Sequence, residues 1–350
     1  LISAAFARNA DLLAARHSLA EAQGLLRQAG LRPNPAIEAS LDTGAPLGSG
    51  GERALSLGYT HTFLLGDKLQ RRLAVGRLGV QLAEAGVADR ERLLRAALRA
   101  SYGQSLASVP SLATVQTLQE ILQQTYRVTS ARMEDGEPAP LEGGLLEREL
   151  GRLRSEQTIA RNQVRRAILE LRQLAAVPDS QELRLRGEML EVALDIDLSG
   201  AVSKALTIRP DLRAARVQET LAEAELRQAQ AEAIPNLSAF GRYTKTNSAF
   251  DQLGLNQAGA RVPLRDSDNI LSAGISIQLP VRNRNQGLIE AAVARQRAAA
   301  RRREYLERVV ETEVASAIAR YQAAQQALGL FDDQVLDQSR QNLRIIRAAY

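Results

Sequence analysis

The stretch from residue 211 to residue 237, DLRAARVQETLAEAELRQAQAEAIPNL, has a counterpart near the start of the chain. Residues 11–35 read DLLAARHSLAEAQGLLRQAGLRPNP, so both stretches contain an Asp-Leu opening, a Leu-Ala-Glu-Ala segment and a closing Pro-Asn. Both are rich in Ala, Glu and Gln, as helices are, and both end at a proline, which cannot continue a helix. The chain therefore contains two copies of one unit.

After each proline the sequence period changes from that of a helix to that of a strand. Polar and apolar residues alternate through 55–63 in copy one and 271–279 in copy two, and less regularly just after each proline. The segments between, 44–52 and 247–269, are rich in Gly, Ser, Asn and Asp and are predicted to be loops. Strands of about ten residues are long enough to cross a bilayer when tilted. The strands predicted in this way lie at about 34–43, 54–64, 235–245 and 270–280.

Very long helices are predicted after each strand pair. Between 67 and 132 the only proline is Pro110, where a kink is possible, and from 285 to 350 there is none. Each stretch would form about 100 Å of helix. Such thin rods must pack against one another or against neighbouring chains, and the second has a coiled-coil seam. The seam residues are Val310, Val314, Ala317, Tyr321, Ala324 and Leu328.

The predicted organisation is a first repeat at 1–182, a linker at 183–198 and a second repeat at 199–350. The first repeat contains a long helical hairpin whose tip lies near 133–141. Four strands in one chain leave two unpaired edges, which hydrocarbon does not tolerate. If these strands cross a membrane, several chains must close the sheet.

Composition argues against a catalytic or metal site. The chain has no Cys, only 3% aromatic residues and a net charge of +5, and its Arg runs are interleaved with Glu, which favours solvated helix faces over a nucleic-acid surface. His17 and His61 have no second ligand at metal-binding spacing. No phosphate loop, nucleophile elbow or dinucleotide motif is present, and no apolar run of about 18 residues could form a membrane-spanning helix. We predict no cofactor and no enzymatic activity.

Three segments resemble the TolC family of outer-membrane efflux factors. They are Pro33-Asn34-Pro35, Pro235-Asn236-Leu237 and Leu279-Pro280-Val281-Arg282-Asn283-Arg284-Asn285-Gln286-Gly287. The last, with Gly66-Asp67-Lys68 in copy one, is most similar to the CzcC-like heavy-metal branch. The resemblance covers essentially the whole chain.

The resemblance implies a fold that is mainly α with a small antiparallel β portion. Three chains would form one 12-stranded β-barrel in the outer membrane of a Gram-negative bacterium and an α-helical barrel in the periplasm. This homotrimer would be the passive export duct of a tripartite, resistance-nodulation-division-type system, for metal cations or other small toxic compounds. A periplasmic adaptor and an inner-membrane pump would be its partners.

Four groups of residues would carry this function. The polar set expected to line the barrel lumen is Glu38, Ser40, Asp42, Ser56, Thr60, Thr62, Ser276 and Gln278. The apolar set expected to face lipid is Leu55, Leu57, Tyr59, Leu271, Ile275 and Ile277. The strand–helix turns are expected at Pro33, Pro235, Gly66, Asp67, Lys68, Pro280, Asn283, Arg284, Asn285 and Gly287. The adaptor would dock on the hairpin tip at Asp135, Gly136, Glu137 and Leu141.

Three alternatives remain open from the residues alone. A soluble periplasmic adaptor or coiled-coil scaffold would share the long helices, but it would not need two strand pairs placed identically in a repeat. A nucleic-acid-binding coiled coil would need contiguous basic stripes. The strands could also form a soluble sheet with one buried face. A second tip is expected just after Tyr350.

Overall fold

The computed structural model describes residues 1–43, 52–134, 140–178, 180–181, 183–187 and 194–330. Over these residues the chain is mainly helical with one antiparallel sheet, which confirms the predicted fold class. The elements in chain order are α1 (Ile2–Arg8), α2 (Ala10–Ala29), β1 (Ala36–Thr43), β2 (Arg53–Phe63), α3 (Lys68–Glu134), α4 (Pro140–Ala175), α5 (Leu198–Ile208), α6 (Pro210–Glu232), β3 (Leu237–Leu255), β4 (Arg261–Ile277) and α7 (Gln286–Leu330).

The four strands pair in chain order, β1-β2-β3-β4, and every pair is antiparallel. The hairpin of copy one therefore lies beside the hairpin of copy two, joined through β2 and β3. Strands β1 and β4 form the two edges of the sheet within the chain. The internal repeat of the sequence thus becomes a repeat of hairpins in one continuous sheet.

The second hairpin is longer than predicted. Strands β3 and β4 contain 19 and 17 residues, so the prediction of a loop over 247–269 is wrong. The hairpin continues to a turn in which the Asn256 side chain accepts hydrogen bonds from the amides of Ala258 and Ala260. The strands next to this turn pair through their backbones, although polar and apolar residues do not alternate in their sequence. Such alternation is expected where one face of a sheet is buried, and here both faces are open to solvent. A register shift between Ala249 and Leu253 interrupts the pairing.

Helix α3 is continuous over 67 residues, or about 100 Å, and Pro110 lies inside it without ending it. Helix α7 contains 45 described residues. The rest of the long helix predicted up to residue 350 lies outside the described residues. Of the predicted seam, Val310 is buried and Val314 and Tyr321 are half-buried, but Ile318 is buried in place of Ala317, and Leu328 is exposed.

The repeat extends upstream of the aligned stretch, to two breaks between helices. Asn9 separates α1 from α2 and Arg209 separates α5 from α6, and both residues have extended backbones with ψ near 122° and 126°. Asn9 accepts a hydrogen bond from the amide of Leu12, and Leu12 and its counterpart Leu212 are both fully buried. Two copies of one helix break therefore place equivalent leucines in the core.

The second break contains an ion cluster. Arg209 donates hydrogen bonds to Asp211 at 2.5 Å and to Glu313 at 2.7 Å. Burial would raise the pKa of Asp211, but hydrogen bonds from Arg209 and the Leu212 amide outweigh it and hold the pKa below its usual value. The pKa of Arg209 is raised, mainly by Asp211. The cluster joins the start of α6 to α7.

The chain forms two compact units, and each unit contains parts of both repeats. One consists of the described parts of 1–20, 83–214 and 305–350. This unit contains an apolar core cluster, and burying each of the cluster's leucines contributes about 1.5 to 3 kcal/mol. The cluster consists of Ala5, Leu12, Leu94, Leu98, Leu171 and Ala175. The other unit, 21–82 with 215–304, contains the whole sheet.

The described part of the predicted linker 183–198 is irregular up to the start of α5. Two tyrosines of the helices hold it. The Tyr102 hydroxyl donates to the carbonyl of Arg186, and the amide of Leu194 donates to the Tyr321 hydroxyl at 2.6 Å.

None of the described helices combines the length and the hydropathy needed to cross a bilayer.

Candidate functional site

The pairing register sorts the strand residues onto two faces. Paired residues of an antiparallel sheet share a face, and successive residues alternate between faces. Ser40 pairs with Ser56, Ser56 with Thr244, and Thr244 with Ile270, so even-numbered residues share one face in all four strands. We call this the even face and its opposite the odd face, up to the register shift after Ala249.

The two predicted sets fall on opposite faces. The even face contains the polar residues expected in a lumen, namely Glu38, Ser40, Asp42, Ser56, Thr60, Thr62 and Ser276. Gln278 follows the end of β4 and is not paired in the sheet. The odd face contains all the residues expected to face lipid, namely Leu55, Leu57, Tyr59, Leu271, Ile275 and Ile277.

Solvent exposure of β2 is the reverse of that in a soluble protein. On β2, Ser56 and Gly58 of the even face are buried, whereas Leu55 and Leu57 of the odd face are each 56% exposed. On β4 the exposure of Leu271 reaches 82%. The odd face is thus a continuous apolar surface that no described part of the chain covers. A soluble sheet with one buried face would bury its apolar side, so this exposure weighs against that alternative.

Hydrogen bonds join the strands across the even face. The hydroxyls of Ser56 and Thr244 lie 2.9 Å apart, and those of Thr62 and Ser238 lie 3.0 Å apart. Arg242 donates to the Glu38 carboxylate at 3.2 Å, and its side chain passes over Gly58, the residue between them in the register. Sequence reasoning missed Arg242, Thr244 and Ser238, although their spacing of two and four residues within β3 was the available signal.

Phe240, which breaks the alternation of β3, also lies on the even face. It pairs with Gly274, and its ring covers that glycine: a Cβ at residue 274 would lie 2.7 Å from the ring. An aromatic side chain packed on a glycine in the paired strand protects the backbone there. The apolar Phe240 interrupts the polar pattern of the even face because it packs on Gly274. The residues on either side of it keep the same assignment to the even and odd faces.

The predicted strand–helix turns share one backbone feature in both copies, a positive φ at the residue before the helix. Asp67 and Asn285, each directly before a long helix, have positive φ of 57° and 61°. Their carbonyls accept the first helical hydrogen bonds, from Arg71 and Ile289. Gly66 also has positive φ and lies against Ile234, which leaves no room for a side chain. Asn and Asp tolerate this conformation better than most residues, which explains their use in the turns.

A buried lysine ties the turn of copy one to the start of β3. Lys68 is 3% exposed, and its ammonium donates to Asn236 at 2.7 Å and lies 3.6 Å from Glu232. Arg72 forms a second ion pair with Glu232 at 2.8 Å. An ammonium removed from water needs such partners. In copy two a different contact holds the turn: the Asn285 side chain donates a hydrogen bond to the carbonyl of Ala229 at 2.7 Å.

Beside these turns lies a polar groove of about 880 Å³. It is lined by even-face residues and by the turn, and the lining includes Thr62, Lys68, Asn236, Ser276, Gln278 and Asn285.

His61, on the odd face, packs edge-on against Phe63 with ring centroids 4.7 Å apart. Across the described residues no three His, Cys, Asp or Glu side chains come together as a metal site. The polar groove and the even face therefore offer hydration, charge and hydrogen bonding to a solute.

Most of the predicted hairpin tip cannot be placed. Asp135, Gly136 and Glu137 lie outside the described residues. Leu141 is in the first turn of α4 and is 78% exposed, as a residue available for docking would be.

Comparison with known proteins gives a family and several similar folds. The family model described as outer membrane efflux protein matches residues 1–177 and 201–350, and the unmatched residues between them include the whole of the predicted linker. Among curated protein sequences none matches significantly.

Solved structures match over nearly the full chain at low identity. A membrane protein from Pseudomonas aeruginosa is 19% identical with a TM-score of 0.79, covering 100% of this chain and 82% of its own. CusC, described in terms of folding and transmembrane channel formation, gives 20% identity, a TM-score of 0.74 and coverages of 100% and 81%. The outer membrane protein VceC from Vibrio cholerae is 19% identical with a TM-score of 0.72, and the match covers 98% of this chain and 83% of VceC.

The family match spans both copies of the repeat, and the matched folds share its plan of hairpins and long helices. The chain therefore belongs to the outer membrane efflux protein family and is a subunit of a TolC-type duct of the Gram-negative outer membrane.

Proposed function

We propose that three copies of the chain close their sheets into one barrel, with the even face toward an aqueous lumen and the odd face toward lipid. Four strands from each of three chains give twelve. Closure would pair β4 of one chain with β1 of the next, which removes the two edges that a membrane would leave unpaired. The observation that carries this proposal is the reversed exposure of β2, with Leu57 exposed and Ser56 buried beside it.

As cargo of this duct we propose metal cations, with other small toxic compounds as the broader class. Charge on the even face supports this. The face carries the carboxylates of Glu38, Asp42, Asp266 and Asp268 against the single cation Arg242, which is itself paired with Glu38. A lumen of this charge favours cations over anions. Deletion of the gene should lower tolerance to divalent metals; loss of tolerance to uncharged drugs alone would contradict the cation assignment.

The proposed partners are a periplasmic adaptor, which would dock at the tip around 135–141, and an inner-membrane pump that drives export. The chain itself would act passively, without a catalytic step or a cofactor. Support comes from two hydroxyl pairs of the even face, Ser56 with Thr244 and Thr62 with Ser238, which bond to each other across strands and so have a structural role.

Membrane extraction separates this proposal from a soluble adaptor or scaffold. The chain should be recovered from outer-membrane fractions in detergent as an SDS-resistant trimer that dissociates on heating. Recovery as a soluble monomer from the periplasm would contradict the proposal and favour the adaptor.

A further inference from the structure

The charged residues of the sheet are sorted by sign between its two faces. Within the register described above, the acidic residues are all on the even face. The odd face carries three full cations instead: Arg53, Lys245 and Arg265. The described residues provide no ion pair to any of the three, and all three are exposed. Among the described side chains, the apolar face thus ends in a positive surface.

These three cations lie together at the end of the sheet far from the helices. Arg53 pairs with Asn247, and Lys245 and Ala249 flank Asn247 on the odd face of β3. Arg265 pairs with Ala249. The three side chains therefore start from neighbouring strands within about 13 Å along the strand direction. We call these three residues the basic collar.

The height of the collar above the inner edge of the sheet matches the thickness of an apolar membrane band. From Phe63 to Arg53 is ten steps along β2, or about 33 Å. At a strand tilt of about 40° this is about 25 Å along the membrane normal, which is the height of the lipid-facing band of such barrels. Just below the collar, the Tyr243 hydroxyl donates to Asn269 at 2.6 Å, as suits an aromatic residue at an interface. The collar therefore lies at the level of lipid headgroups.

We propose that the basic collar binds the phosphate groups of the outer-leaflet lipid, lipid A. This inference rests on the proposed function, because it needs the odd face to meet the membrane. Guanidinium and ammonium groups form charge-assisted hydrogen bonds with phosphate oxygens, and the acids of the paired strands lie on the opposite, even face. Phosphate from the lipid completes the pairing that the sheet leaves open.

Binding of labelled diphosphoryl lipid A to the purified trimer tests the proposal. The variants are Arg53→Gln, Lys245→Gln and Arg265→Gln, and the control is Arg242→Gln, which removes a cation of the even face. Each collar variant should bind about five-fold more weakly than the wild type, as expected for one charge near a lipid surface. The control should bind unchanged, and dephosphorylated lipid A should bind all proteins equally.

Collar variants that bind diphosphoryl lipid A as tightly as the wild type would overturn the proposal, and so would equal binding of the two lipids to the wild type. Displacement by phosphatidylglycerol at equal concentration would overturn the assignment to the outer leaflet. Trimer formation on SDS gels is recorded for every protein. A wild-type chain that forms no trimer would contradict the proposed function itself, whereas stable trimers with unchanged lipid binding would contradict this inference alone.

Discussion

Leu271→Arg tests the lipid-facing assignment most severely, because this residue would lie near the middle of the apolar band of the proposed barrel. Leu271 lies six residues along β4 from Ile277, or about 20 Å, which at a tilt of about 40° is about 15 Å into a band about 25 Å high. Its side chain is 82% exposed, so little packing within the chain is lost on substitution. Any large effect must come from what surrounds the chain.

The expected cost of this substitution is that of a cation near the bilayer midplane. Arginine there destabilises a transmembrane barrel by about 2 to 4 kcal/mol, so three chains would lose about 6 to 12 kcal/mol per trimer if the sites are independent. The matched control is Ser272→Arg, one residue away on the even face, where the guanidinium would meet lumen water. Its expected cost is below about 1 kcal/mol.

The assay is reversible folding into lipid vesicles under a urea titration, with heat-modifiability on SDS gels as a second readout. Leu271→Arg should reduce the free energy of unfolding and the trimer yield, and Ser272→Arg should leave both near the wild-type values. Equal effects of the two substitutions, or no effect of Leu271→Arg, would refute the assignment of the odd face to lipid.

Three further substitutions test the turn and the helix break. Gly66→Ala should lower the free energy of unfolding by about 1 to 3 kcal/mol, because it combines a positive φ with a Cβ placed 2.3 Å from Ile234; a wild-type thermal midpoint would contradict this. Lys68→Met should destabilise the fold by about 1 to 3 kcal/mol through the unpaired polar groups it leaves, as measured by urea unfolding, with Lys68→Arg milder. The lowered pKa of Asp211 means that its ionised form stabilises the fold above the unfolded pKa of about 3.9, and this stabilisation is lost as pH falls through the lower folded value. Asp211→Asn should therefore reduce the fall in thermal midpoint below about pH 4, and an unchanged acid profile would show that the pairing with Arg209 contributes nothing.

The sequence was sufficient to predict which residues of strand β2 share a face. Alternation through residues 55–63 predicts strand β2, and a period of two places Leu57 and Tyr59 on one side by geometry alone. The extension of the second hairpin could not be predicted in this way. Its residues 247–269 have the composition of a loop and include Pro263, which is unfavourable in a strand, yet Pro263 is paired with Leu253.

Contacts between distant segments were the other part that sequence could not supply. Lys68 was expected at a turn, but its burial against Asn236 depends on how two parts of the chain, 168 residues apart, meet in space. The bond from Arg242 to Glu38 across Gly58 likewise requires the pairing of β1, β2 and β3, which periodicity does not specify. In α7 the sequence predicted Ala317 in the packed seam, but the structure buries Ile318 instead, because the buried face of a helix depends on the elements that pack against it.

Cysteine scanning along β4 in intact outer membranes tests the central claim most directly. The chain has no cysteine, so each single-cysteine variant reports on one position. The set covers residues 270–273, 275 and 276 and avoids Gly274, which Phe240 covers. A charged, water-soluble maleimide should modify the even-numbered positions through lumen water and leave the odd-numbered positions unmodified. Uniform modification, or modification of the odd-numbered positions alone, would contradict a duct with a wet even face and a lipid-facing odd face.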